Sequence, residues 1–270
     1  MLMLFQFLYR GLSAGLFGGL LLLAFVITAQ LDWPLLGLYR YDFLLIYALL
    51  IQAWLIYFKL ETPREVWVIA LFHVLAMLME LFLTAPQIGS WHYPEAGHFR
   101  ILTVPLFAGF MYSAVGSFLA RGLRLFDVSF SGLPRLSWLG LLATLCYLNF
   151  FTKYWLPDIR LGLFIASVLL FARTRLTLQV AGRALTLWFL PLLLGLAGLV
   201  WLAENIATYT NIWLYPSQVE QWHWVGWGKV GSWYLLLLLS LVLVLAVMGK
   251  RTSDGVWRLH GVVGESVKNQ

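Results

Sequence analysis

Eight apolar runs divide this chain: Gly11 to Ala29, Phe43 to Phe58, Val66 to Thr84, Ile101 to Leu119, Leu136 to Trp155, Leu156 to Ala172, Leu185 to Ala207 and Gly228 to Met248. At about 1.5 Å of rise per residue, helices of this length cross the ~30 Å hydrocarbon core of a bilayer. With 61% hydrophobic and 11% charged residues and a mean hydropathy of +0.83, the chain is too apolar for a water-soluble globule, whose apolar share lies near ~45–50%. The expected fold is all-α: a polytopic membrane protein of about eight transmembrane helices, with the lipid bilayer as its partner. Residues 1–249 form the membrane domain and residues 250–270 a fraying polar tail. The first run lacks a small-x-small cleavage site and reads as a retained helix. The sixth has the shortest clean core, because Pro157, Asp158 and Arg160 crowd its start.

Lys and Arg accumulate on the cytoplasmic side of such chains. With eight helices, one side carries Arg10, Lys59, Arg64, Arg121, Arg124, Arg135, Arg173, Arg175, Arg183, Lys250, Arg251, Arg258 and Lys268, which is 13 of the 18 basic residues. The other side carries Arg40, Arg100, Lys153, Arg160 and Lys229. This asymmetry predicts a multi-pass inner-membrane protein with both termini in the cytoplasm. It also makes the net charge of +6 topogenic, so no nucleic-acid partner is expected.

Within this frame one pattern occurs twice. Glu80 closes the third run and is followed by Trp91, Tyr93 and Pro94; Glu204 lies near the end of the seventh and is followed by Trp213, Tyr215 and Pro216. With 14 Trp, 12 Tyr and 9 Pro in 270 residues, chance supplies about 0.02 Trp-x-Tyr-Pro matches. Matching landmarks are nearly equally spaced: Asp42 and Asp158 are 116 residues apart, Glu80 and Glu204 124, Trp91 and Trp213 122. Two parallel four-helix repeats are therefore expected, about 11–120 and about 136–248, with both glutamates near their pseudo-two-fold axis.

An ionisable residue inside an apolar span costs roughly 2.5–3.5 kcal/mol on insertion scales, so it faces the bundle interior or a wet cavity. Glu80 and Glu204 are the candidate catalytic residues, one of them a proton donor. Trp91, Tyr93, Tyr112, Asn149, Asn205, Trp213 and Tyr215 are candidates to position a substrate or to face positive charge. Arg40, Asp42, Lys153, Asp158 and Arg160 are supporting charges, with Arg40 expected to pair with Asp42 and Arg160 with Asp158. Gly11, Gly15 and Gly19 suggest a close-packing stripe on the first helix. Pro105, Gly109, Tyr112 and Gly116 suggest a kinked, close-packing fourth helix, while the charged turn from Lys59 to Glu65 has no evident motif.

Other chemistry finds less support. His73, His92, His98 and His223, taken with Glu80 and Glu95, match no metal-ligand spacing, so no metal is expected. HExxH, Cys-x-x-Cys, Walker A, GxGxxG and GxSxG patterns are absent, and no cofactor is expected. A single cysteine, Cys146, excludes an internal disulfide. Three functions remain. The first is a membrane-embedded enzyme using a glutamate as general acid on a lipid-soluble, isoprenoid-like small molecule. The second is a transporter or ligand-binding protein with its site between the repeats. In the third the glutamates are structural, paired with Arg40, Arg160, Lys153 or Lys229.

The segments MELF, GSWHYPE, VPLFAGFMYSAVGS, YLNFFTKYWLPD, WLAENIATYTNIWLYPSQ and KVGSW together resemble the YoaT-like integral membrane proteins, a bacterial family of unknown function. The resemblance spans about residues 75 to 245 and implies a membrane location without an activity. A looser similarity is to carotenoid hydratases and membrane-embedded lycopene cyclases, carried by Glu80, Gly89, Trp91, Tyr93 and Val104 to Leu106. This chain departs from the cyclases at Phe107 and Ala108, where they have acidic residues.

Overall fold

In the computed structural model, which describes residues 1–253 and 255–259, the chain is mostly helical. The helices are α1 (Leu2–Ala14), α2 (Leu16–Thr28), α3 (Arg40–Tyr57), α4 (Pro63–Leu83), α5 (Ala108–Leu125), α6 (Leu136–Thr152), α7 (Arg160–Phe171), α8 (Phe189–Tyr209) and α9 (Gly228–Met248). By length and composition α3, α4, α8 and α9 can each cross a membrane, and α1 with α2 makes a fifth candidate if that pair, bent by 68°, is one span. These helices mark the chain as a membrane protein. Each of the eight apolar runs contains a helix, but α5, α6 and α7 are not among these candidates. At 1.5 Å per residue the 17 residues of α6 and the 12 of α7 reach only about 26 and 18 Å, and α5 ends in Arg121 and Arg124.

The fold is not all-α. A two-stranded pair, β1 (Arg100–Ile101) and β2 (Val104–Pro105), precedes α5. The strands β3 (Ser129–Ser131), β4 (Arg175–Val180), β5 (Arg183–Trp188), β6 (Gly249–Arg251) and β7 (Trp257–Leu259) form an antiparallel sheet in the order β5-β4-β3-β7-β6. This sheet gathers the α5–α6 and α7–α8 connections and the segment after α9 at one end of the bundle. It also takes up the start of the expected fraying tail, because β6 continues α9 and β7 pairs with β3; residues 260–270 lie outside the described part. Trp257 and Leu259 are buried against the helical core, which gives this polar-looking segment a reason to order.

Two sequence expectations about helix packing change in detail. Nothing lies within 4 Å of a Cβ built on Gly11 or Gly19, so the glycine stripe of the first apolar run is not a packing seam. The run breaks at Gly15, and Gly15, Gly18 and Gly19 face a cavity. Pro105 lies ahead of α5 in β2 and does not kink the helix. Close packing along α5 is present: a Cβ on Gly109 would meet the His73 ring at 2.5 Å, and one on Gly116 would meet Phe72 at 2.9 Å. Gly109→Val is therefore expected to destabilise the protein by about 1–3 kcal/mol through overpacking, with partial recovery in Gly109→Val/His73→Ala. A neutral single variant in a detergent unfolding titration would contradict the α4–α5 contact.

The charged turn before α4 does have a motif. Thr62 Oγ1 accepts from the Glu65 backbone N–H at 3.3 Å, and Glu65 accepts from the Thr62 N–H at 2.6 Å, with Pro63 at the first helical position. This capping box satisfies helix-end donors at both positions. Glu65 also takes Arg124 of α5 at 2.7 Å, which ties the start of α4 to the end of α5. The opposite ends of these helices, together with those of α8 and α9, converge on the two Trp-x-Tyr-Pro loops.

Candidate functional site

The 21 residues of α4 and of α8 each bring one glutamate to within about a turn of the helix end. Glu80 is 1% exposed and Glu204 3%. Each chain then turns and returns its Trp-x-Tyr-Pro segment beneath its own carboxyl. Tyr93 Oη donates to Glu80 Oε2 at 2.8 Å, and Tyr215 Oη donates to Glu204 Oε1 at 2.5 Å. The segments also pair with each other: the His92 N–H donates to the Leu214 carbonyl at 3.0 Å, and the Leu214 N–H returns to the His92 carbonyl at 2.9 Å.

The remaining donors arrive from neighbouring elements. Trp91 Nε1 donates to Glu80 Oε2 at 2.9 Å, and Tyr112 of α5 donates to Glu80 Oε1 at 2.7 Å. Trp233 of α9 donates to Glu204 Oε2 at 2.8 Å. Each buried carboxyl thus has one indole N–H, which can only donate, and at least one phenol. Burial, and then the charge of the carboxylate each one serves, holds the Tyr93 and Tyr215 hydroxyls well above the ordinary phenol range. Both remain protonated donors. These donors serve a carboxylate, and a phenol hydroxyl can also accept from a protonated carboxyl, so the arrangement can hold the group in either form.

Glu80 and Glu204 line one cavity of about 420 Å³, within the ~300–1,000 Å³ typical of small-molecule sites. Trp91, Tyr112, Trp213, Tyr215, Lys153, Lys229, Ser232 and Trp233 contribute to its wall. The rest is largely apolar, from Leu21, Leu22 and Phe25 of α2, Phe118 of α5 and Leu196, Leu199 and Val200 of α8. Lys229 Nζ lies 4.1 Å from the Tyr215 ring centre and 5.9 Å from that of Trp91, a cation–π arrangement.

Other candidates stand elsewhere. Asn149 donates to Asp158 at 3.0 Å and accepts from the Ile159 N–H at 3.2 Å, fastening the α6–α7 turn. Asn205 donates to the Trp201 carbonyl at 2.8 Å and accepts from the Val225 N–H at 2.9 Å, fastening the loop before α9. Neither side chain lines the cavity. Asp158 and Arg160 pair at 2.6 Å. Burial works to raise the Asp158 carboxyl, but hydrogen bonds from Asn149 and Arg160 bring it below its ordinary value.

Arg40 does not pair with Asp42. It reaches Glu95 at 2.6 Å, while Asp42 accepts backbone N–H groups of His98 and Phe99 at 2.9 to 3.1 Å. Asp42 at the third position of α3 points back along the chain, so the adjacent spacing in sequence does not become an ion pair. None of the three ion pairs among the described residues involves Glu80 or Glu204. Among those residues, no three His, Cys, Asp or Glu side chains gather as a metal would require. Phe107 is fully buried between the rings of Phe25, Tyr41 and Tyr93, so the position where cyclases have an acid is core here.

Trp233 and Ser232 are site residues outside the Glu and Trp-x-Tyr-Pro pattern. The available signal is the KVGSW segment, which opens α9 with Lys229, Ser232 and Trp233 three and four residues apart on one face. Trp233 also stands 121 residues after Tyr112, close to the spacing of the two glutamates.

No solved structure matches this chain. A curated relative, an uncharacterised protein YoaT of Bacillus subtilis, is 38% identical over 235 residues, covering 86% of each chain. The family model described as "Protein of unknown function (DUF817)" matches residues 3–241. That match contains both glutamates, every donor to them and both cavity lysines, so the chain belongs to the DUF817 family.

Proposed function

We propose that this chain is a multi-pass membrane protein of two parallel four-helix halves that admits a lipid-soluble molecule to the cavity and protonates it from Glu80 or Glu204. The observation that carries this reading is a single apolar cavity with a buried carboxyl from each half in its wall. Support for the halves comes from matching contacts. The α4–α5 and α8–α9 pairs correspond, as do α2–α5 and α6–α9, α2–α3 and α6–α7, and the cross-contacts α2–α8 and α6–α4. The reciprocal His92–Leu214 pairing is what an axis between two related loops requires. The basic residues near the sheet support placing that end, with both termini, on the cytoplasmic side of the inner membrane.

Protonating an alkene carbon leaves a carboxylate and a carbocation. Indole and phenol donors stabilise the carboxylate, which lowers the cost of releasing the proton. The electron-rich rings of Trp91, Tyr215 and Trp233 border the same cavity. The second carboxyl is placed to accept a proton lost from a neighbouring carbon.

The test is mass spectrometry of small molecules retained by the gently purified wild type, Glu80→Gln and Glu204→Gln. The expected result is a lipid chemically altered by the wild type, with turnover falling about 10²- to 10⁴-fold in the variant lacking the acid and lipid still bound. Equal bulk phospholipid in all three preparations would sink the reading. A second reading, transport, is favoured by the doubled arrangement around ionisable groups; it expects the retained molecule unaltered and moved across vesicles.

A further inference from the structure

We infer that the molecule taken into this cavity carries an anionic head, held by Lys153 and Lys229, on an apolar tail. The inference rests on the cavity-binding reading above and names the class of molecule. It starts from an imbalance between the two kinds of charge in the wall. The carboxyl oxygens of Glu80 and Glu204 already accept five hydrogen bonds, from Trp91, Tyr93, Tyr112, Tyr215 and Trp233. Each ammonium, in contrast, has three N–H donors, and among the described residues neither forms an ion pair or reaches a hydrogen-bond acceptor. Both ammonium groups lie over rings, Lys229 over Tyr215 and Trp91 and Lys153 over Tyr154, and Glu204 acts on Lys229 through its charge without forming an ion pair.

Their placement gives the missing acceptor a location. Lys153 follows the last turn of α6, Lys229 lies in the first turn of α9 and Ser232 at the start of its second, so two elements bring donors to one cavity. The N-terminal end of the α9 dipole adds positive potential there. A phosphate or carboxylate supplies the acceptors these donors lack, and charge-assisted hydrogen bonds are the stronger kind. A cationic head would find the oxygens of the two carboxyls in the same wall already hydrogen-bonded and would also meet two ammonium groups. The apolar wall from α2 and α8, with Leu21, Leu22, Phe25, Leu196, Leu199 and Val200, takes the tail.

The experiment uses the full chain in phosphatidylcholine nanodiscs and four radiolabelled probes with one saturated tail: dodecyl phosphate, dodecanoate, dodecanol and dodecyltrimethylammonium. Binding to empty nanodiscs is subtracted. The expected result is that at least one anion binds about tenfold or more tighter than the alcohol, and the two anions distinguish a phosphate from a carboxylate head. Lys153→Gln/Lys229→Gln is expected to remove that preference while leaving dodecanol affinity unchanged, and Lys153→Arg/Lys229→Arg to retain it. Equal affinity for anions and alcohol in the wild type, or preference for the trimethylammonium probe, overturns the anionic head but leaves the cavity reading intact. Failure of all four probes overturns both. The wild-type series decides the question even where a lysine variant fails to fold.

Discussion

Glu80→Leu lowers the stability of the protein by about 3–5 kcal/mol, even though it replaces a charged residue inside an apolar helix with an apolar one. The carboxyl is 1% exposed and accepts from Trp91, Tyr93 and Tyr112. Leucine leaves the buried Tyr93 hydroxyl and the donors of the half-buried Trp91 and Tyr112 without an acceptor, each costing about 1–3 kcal/mol, and the apolar gain recovers part of the sum. Tyr112→Phe removes one donor and leaves an acceptor that still has two, so its cost is about 1 kcal/mol. Equilibrium unfolding in mixed micelles distinguishes the two. If Glu80→Leu were neutral or stabilising, the hydrogen-bonded carboxyl would not be the form the folded protein holds.

Arg40→Met has an effect of similar size at a different place. Arg40 is 3% exposed, and its guanidinium donates to Thr28 Oγ1 at 2.9 Å, the Phe25 carbonyl at 2.8 Å, the Thr210 carbonyl at 2.8 Å and Glu95 at 2.6 Å. One side chain therefore joins the end of α2, the end of α8 and the loop after Trp91. Methionine keeps the volume but orphans these acceptors, for an expected loss of about 3–5 kcal/mol. Arg40→Lys recovers only part of it, because an ammonium cannot match the fixed fork of a guanidinium. Limited proteolysis is expected to cut first within the loop holding Glu95. Cleavage unchanged from wild type would show that the loop is held without Arg40.

The membrane class, the helices and the paired glutamates were legible because apolar length and recurring local patterns are written along the chain. The sheet was not. β3, β6 and β7 have three residues each; β3 meets β7 across more than a hundred positions, as Phe130 does with Trp257, and β6 pairs with β7 alone. Segments so short show no period-2 alternation to read. The capping box at Thr62 and Glu65 was present in sequence but masked by its charged neighbours.

Within the site, the sequence by itself determined which groups are costly to bury, and therefore that Glu80 and Glu204 need partners. It also supplied the Trp-x-Tyr-Pro segments that bring Tyr93 and Tyr215 back to them, because these lie only 11 to 13 residues further on. Tertiary structure alone decided the rest: that Tyr112 and Trp233 complete the two carboxyl sites, that Arg40 takes Glu95 and not its neighbour Asp42, that Asn149 and Asn205 serve turns, and that both lysines face one cavity. The physical reason is that a hydrogen bond depends on a distance of about 3 Å and a direction. Both are set by which helix faces meet, and periodicity along a single chain leaves that undetermined.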